Sequence, residues 1–240
     1  MASPLDQFEI RTILPIRVGG LDLSFTNSSL LMVASVVIAT GFLLVSTSGR
    51  ALVPSRTQSM GEMLYDMVAN MVRDNAGSDG RPYFPFIFTL FLFVLMANLL
   101  GMIPGSFTVT SHIIVNFALA AFVFVAVTII GIVRHGTKFL TLFFPHGAPW
   151  WTAFILVPVE LISYLSRPIS LSVRLFANMV VGHVMLKVLA GFIVGMGVFG
   201  ILPFAALIPI TVLEIFIAGL QAYIFAILTC VYLHDALHLH

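Results

Sequence analysis

Hydrophobic residues in this chain fall in long runs separated by short polar connections. Three stretches carry no Asp, Glu, Lys or Arg: Leu23 to Gly49, Pro82 to Val133 and Val188 to Leu213. A helix needs about 20 apolar residues to cross the hydrocarbon of a bilayer. Strict period-2 alternation, the mark of a membrane barrel strand, is missing. The runs therefore predict five membrane-crossing helices, at residues 25–48, 84–103, 113–133, 158–190 and 205–233. Residues 1–24 read as an outer N-terminal tail. Residues 50–81 read as a polar loop with a short surface helix at "MGEMLYDMVANMV", and residues 134–150 as a second loop. The stretch "FLTLFFPHGAPWWTAF" is apolar but broken by Pro145, Gly147 and Pro149. It predicts an interfacial segment, with Trp150 and Trp151 at headgroup level.

Composition narrows the class. Of 240 residues, 60% are hydrophobic and 9% charged, and the mean hydropathy is +1.09. An ordinary soluble domain is about 25% charged, so the fold class is an all-α integral membrane protein forming one membrane domain. Basic residues set its orientation. Arg50, Arg56, Arg73 and Arg81 occupy the first loop, and Arg134 and Lys138 another; the connections on the opposite side carry none. Positive-inside places the basic loops and the C-terminus in the cytoplasm and the N-terminus outside, with Arg11 and Arg17 running against the rule. A net charge of +1 gives no reason to expect nucleic acid. The lone cysteine, Cys230, excludes an intrachain disulfide and a Cys-based metal site. No phosphate loop, nucleophile triad or haem motif is present, so neither a cofactor nor a catalytic site is expected.

The fourth helix carries unusual chemistry. Glu160, Ser163, Arg167, Ser170, Arg174 and Asn178 fall within an arc of about 80° at the helical period, which makes a continuous polar seam; Pro168 is a candidate kink within it. His183 and Lys187 lie on the opposite face. The span Glu160 to Lys187 rises about 40 Å against about 30 Å of hydrocarbon, which demands strong tilt or a break. The fifth helix has a seam of its own: Thr211, Glu214, Gln221, Tyr232 and Asp235. Two seams joined by a short loop predict an antiparallel hairpin whose polar faces meet protein or water rather than lipid.

The ionisable groups must find partners. Glu160, Arg174, His183 and Glu214 together cost on the order of 10 kcal/mol at mid-membrane without them. Glu160, the acid nearest Arg174 in sequence, is about 21 Å along the helix, out of reach. Arg167 and Glu160 share a face, yet about 10 Å of rise argues against contact. Glu214 is expected to pair with His183, a combination able to pass a proton. Arg174 is then left for a carboxylate of another chain.

"SLSVRLFANM", with Gln221 in "TVLEIFIAGLQAYIFAILTCVYL", resembles subunit a of the F-type ATP synthases, and the likeness covers essentially the whole chain. The "SPLDQFEI" start is similar to alphaproteobacterial and mitochondrial members. The resemblance implies a stator subunit whose long, strongly tilted C-terminal hairpin lies against a rotating ring of c subunits, each carrying one essential carboxylate. It implies two offset proton half-channels separated by Arg174, with Asn178 and Gln221 as polar neighbours. His183 and Glu214, with Asn116 and more weakly His112, match the outer half-channel. Glu160, with Ser170 and Tyr232 as weaker candidates, matches the inner one. Ala177 departs from the glycine common at that position. Implied partners are the c ring, the b subunits of a peripheral stalk and lipid. The implied location is a bacterial plasma membrane, less so a mitochondrial inner membrane.

Other classes fit less well. An intramembrane metalloenzyme using His183, Glu214 and the tail residues His234, His238 and His240 fails on spacing, since no HExxH-like pair lies mid-membrane, and the tail pair His234 and His238 lacks a fixed third-ligand spacing. A secondary transporter would show a repeat or paired broken helices. A purely structural anchor remains as the third alternative.

Overall fold

The computed structural model of the chain describes residues 10, 12–15, 17–18, 21–22, 24–49, 53–103, 107–136, 139 and 153–238. The expected interfacial segment with Trp150 and Trp151, and most of the N-terminal tail, lie outside the described residues. Among the described residues, four short strands precede the helices: β1 (Thr12–Leu14), β2 (Arg17–Val18), β3 (Leu21–Asp22) and β4 (Phe25–Thr26). β1 pairs antiparallel with β4, and β2 with β3. The hydrophobic pattern gave no sign of them, because strands of two or three residues are too short for a periodicity to register.

Six α-helices follow among the described residues: α1 (Asn27–Ser48), α2 (Arg56–Ala76), α3 (Phe84–Gly101), α4 (Ile113–His135), α5 (Ala153–Gly195) and α6 (Ile201–Leu237). Among the described residues, five helical segments are long and apolar enough to cross a membrane, so this is a multi-pass membrane protein. Local chemistry sets the helix ends. The side chains of Thr26 and Ser55 accept the backbone N–H of Ser29 and Gln58, capping α1 and α2. Gly77 and Gly136, at φ of +69° and +58°, end α2 and α4 in the left-handed region that glycine tolerates.

The region read as a loop with a short surface helix is instead the 21-residue α2. Val68, Met71, Val72 and Ala76 form a buried stripe at helical spacing on it. The helix packs on α1, α3 and α6. The core joins this stripe to Ile87, Phe91 and Val94 of α3, Val123 and Val127 of α4, Leu171 and Leu175 of α5, and Phe225 and Leu233 of α6. Ala218, Ala222, Ala226 and Cys230, four apart and buried, run along α6. Without large side chains there, neighbouring helices approach closely, the usual route to tight packing where lipid supplies no hydrophobic drive.

α5 is 43 residues long, longer at both ends than the hydrophobic run suggests, and both Pro158 and Pro168 lie within it. At 1.5 Å per residue it extends about 64 Å, roughly twice the hydrocarbon thickness. A helix of that length and apolarity stays within a bilayer only when steeply inclined.

Candidate functional site

α5 and α6 run antiparallel as a hairpin, and polar side chains connect them at three levels. At one end Arg167 Nη1 donates to Asp235 Oδ2 at 2.9 Å. Midway, Asn178 Nδ2 donates to Gln221 Oε1 at 2.7 Å. At the third level, the Glu214 carboxyl group packs over Gly182, where a Cβ would come within 2.6 Å of Oε1. Glycine at 182 is therefore a steric condition for the position Glu214 takes.

Arg174 projects between the first two ties. Its neighbours Leu171 and Leu175 turn inward and are fully buried, while Arg174 itself is exposed. Among the described residues it forms no ion pair. Ser163, Ser170 and Asn178 are likewise exposed, and Glu160 is half-buried. The polar seam thus lies open along the outside of the hairpin. The side chains that close the hairpin, Gln221 and Glu214, are buried.

The Asn178–Gln221 tie has a measurable signature. Gln221 is 1% exposed and its Nε2 has no hydrogen-bond partner among the described residues. Removing Asn178 would orphan a buried carbonyl oxygen as well. We expect Asn178→Leu to lower stability by about 1–3 kcal/mol, and the Asn178→Leu/Gln221→Leu double variant to cost less than the sum of the two single changes. Thermal denaturation in detergent reads this.

A second polar group gathers beside Glu214. His183 and Glu214 line one cavity of about 210 Å³ with Met102, Asn178 and Leu213. No ion pair joins them, contrary to the sequence expectation. His183 Nε2 instead lies 3.2 Å from Thr108 Oγ1, on the connection between α3 and α4. Both Glu214 oxygens are buried without a hydrogen-bond partner among the described residues. Asn116 is buried in α4 and its Nδ2 donates to the Thr110 carbonyl at 2.6 Å. His112 stacks on Phe107 at 5.1 Å. Residues 107–116 therefore form one wall of the region that holds His183.

Glu160 and Tyr232 belong to the other end of the hairpin. Arg167 has Asp235 rather than Glu160 as its partner, as the rise along α5 required. Its guanidinium carbon lies 5.4 Å from the Tyr164 ring centre and 5.1 Å from that of Tyr232. The Tyr164 and Thr128 hydroxyls are 2.8 Å apart, which extends the group to α4.

Four participants escaped sequence reasoning: Asn98, Thr108, Tyr164 and the pairing of Asp235. Asn98 is fully buried in α3 and donates from Nδ2 to the Ala218 carbonyl at 3.1 Å, fixing α3 to the Glu214–Gln221 stretch of α6. Its signal was available: a single amide inside the otherwise apolar "FLFVLMANLLG".

With the geometry in place, comparison with known proteins is informative. A family profile described as ATP synthase A chain matches residues 29–234. The chain is 60% identical to ATP synthase subunit a of Paramagnetospirillum magneticum and 60% identical to that of Rhodospirillum rubrum, over 100% of both chains in each case. It is 55% identical to the Mesorhizobium japonicum protein of the same name, over 98% of this chain and 96% of that one.

Proposed function

Because this chain belongs to the ATP synthase subunit a family, we propose that it is the stator subunit that turns proton flow into rotation of a c ring in a bacterial plasma membrane. It has no catalytic role of its own; the complex performs the chemistry. The observation that carries the reading is Arg174, exposed between two interhelical ties and without an ion pair among the described residues.

A ring carboxylate facing lipid must be protonated, since a bare charge is too costly there. Opposite Arg174 the ionised form is favoured, and the proton leaves. Arginine itself does not give up its proton, so it receives the carboxylate without relaying anything. Protons reach the ring from outside past Asn116, His112, His183 and Glu214. They leave past Glu160, with Ser170 and Tyr232 beside it, to the cytoplasm. Asn178 and Gln221 hold the hairpin in register at the boundary. Each elementary charge that crosses yields about 2.3 kcal/mol per 100 mV. The b subunits of a peripheral stalk keep the subunit from turning with the ring.

Two offset paths make a sided prediction. In a Cys230→Ser background, with the complex in sealed, oriented vesicles, Asn116→Cys should react with a small membrane-impermeant thiol reagent from the outer side only. Ser163→Cys should react from the cytoplasmic side only. Reaction of both positions from the same side, or of either from both sides, removes the two-path reading.

A further inference from the structure

Two arginines stand on the polar face of α5, Arg167 and Arg174, and their surroundings differ sharply. Arg174 is exposed and forms no ion pair among the described residues. Arg167 is bonded to Asp235 at 2.9 Å and flanked by the Tyr164 and Tyr232 rings; its side chain is 23% exposed. Tyr164 is held in turn by Thr128 of α4. Arg167 is thus neutralised by a carboxylate of α6 and screened by two aromatic faces, which attract a guanidinium through their quadrupoles.

We propose that Asp235 is a positioning residue whose task is to cancel the charge of Arg167, so that Arg174 is, among the described residues, the single free cation this face of α5 offers to a passing ring carboxylate. The inference rests on the function proposed above. The two arginines are seven residues apart, about 10 Å along the helix. Because α5 must lie steeply inclined, much of that distance runs along the path of the ring, toward Glu160. A second uncompensated guanidinium there would hold the ring carboxylate ionised over a longer arc, next to the group through which protons leave. Two competing stations would then replace one, and the step past Arg174 would slow. An arginine cannot be silenced by losing its proton, so a fixed counter-charge is the available means.

Charge cancellation and simple helix clamping predict opposite results. In the reconstituted complex, Asp235→Asn should lower ATP-driven proton pumping about tenfold, the scale of one unit charge roughly 10 Å away at an effective dielectric near 20. The double variant Arg167→Gln/Asp235→Asn has lost the ion pair and carries no extra charge, and it should pump within about twofold of the unmodified complex, the residual set by surface-type pairs of small worth. Wild-type pumping by Asp235→Asn, or a double variant as impaired as the single, overturns the proposal and leaves the pair a clamp between α5 and α6. If Asp235→Asn fails to assemble, the double variant decides alone: near-normal pumping supports charge cancellation and impaired pumping overturns it. Arg174→Ala is measured in parallel. Its retention of pumping would sink the underlying function instead, so the two failures are told apart.

Discussion

Arg174→Ala is expected to abolish ATP-driven proton pumping by the assembled complex while opening a passive proton leak. On the proposed function, alanine removes the cation that would make the ring carboxylate shed its proton at one defined place. On the same reading it also removes the charged barrier between the two proposed paths. Pumping should fall by at least about two orders of magnitude, the effect of losing a preorganised electrostatic partner. Assembly should survive, because Arg174 is exposed and bonded to no other described residue by an ion pair; the hairpin is held by Asn178–Gln221 and Arg167–Asp235. Pumping and leak are read in the same vesicles by a pH-sensitive dye, with and without ATP. Full pumping without leak would show that Arg174 does not separate the paths. Arg174→Lys discriminates further: lysine keeps a charge but lacks the planar, permanently protonated fork, so pumping should remain far below normal.

Glu214→Gln should make the subunit more stable and much less active. A carboxylate with both oxygens buried and unpartnered among the described residues is a liability for folding, and a neutral amide of the same shape is cheaper to bury. If Glu214 relays protons, the amide cannot replace it. Proton flux driven through the complex should then fall by about 10²-fold or more, the range lost with a general acid–base group. Thermal denaturation of the detergent-solubilised subunit and passive flux through the assembled complex measure the two halves. Unchanged flux would leave Glu214 a structural residue and favour the anchor alternative.

The sequence carried the spans and the seam because both are periodic. Charge-free runs longer than a bilayer is thick leave few choices, and polar residues recurring at the helical period align themselves on one face. What it could not carry were contacts between helices. Nothing in the spacing of Glu214 and His183 reveals that Thr108, far off in sequence, lies beside the imidazole while Gly182 makes room for the carboxylate. Asp235 could be placed on the seam of the fifth helix, yet its pairing with Arg167 depends on the register of the hairpin. α2 was underestimated for a related reason. Its polar residues equal its apolar ones in number, and only the positions of Val68, Met71, Val72 and Ala76 reveal a packed face.

The open seam of α5 bears on how the chain is made. On the proposed function, a newly inserted copy without its rotor would present Ser163, Ser170, Arg174 and Asn178 directly to acyl chains, each a polar group in a solvent that offers it nothing. Such an orphan would be exposed to membrane quality-control proteases, and its lifetime should lengthen once a rotor covers the face. On the proposed function, supply of the two parts should therefore be matched in the cell.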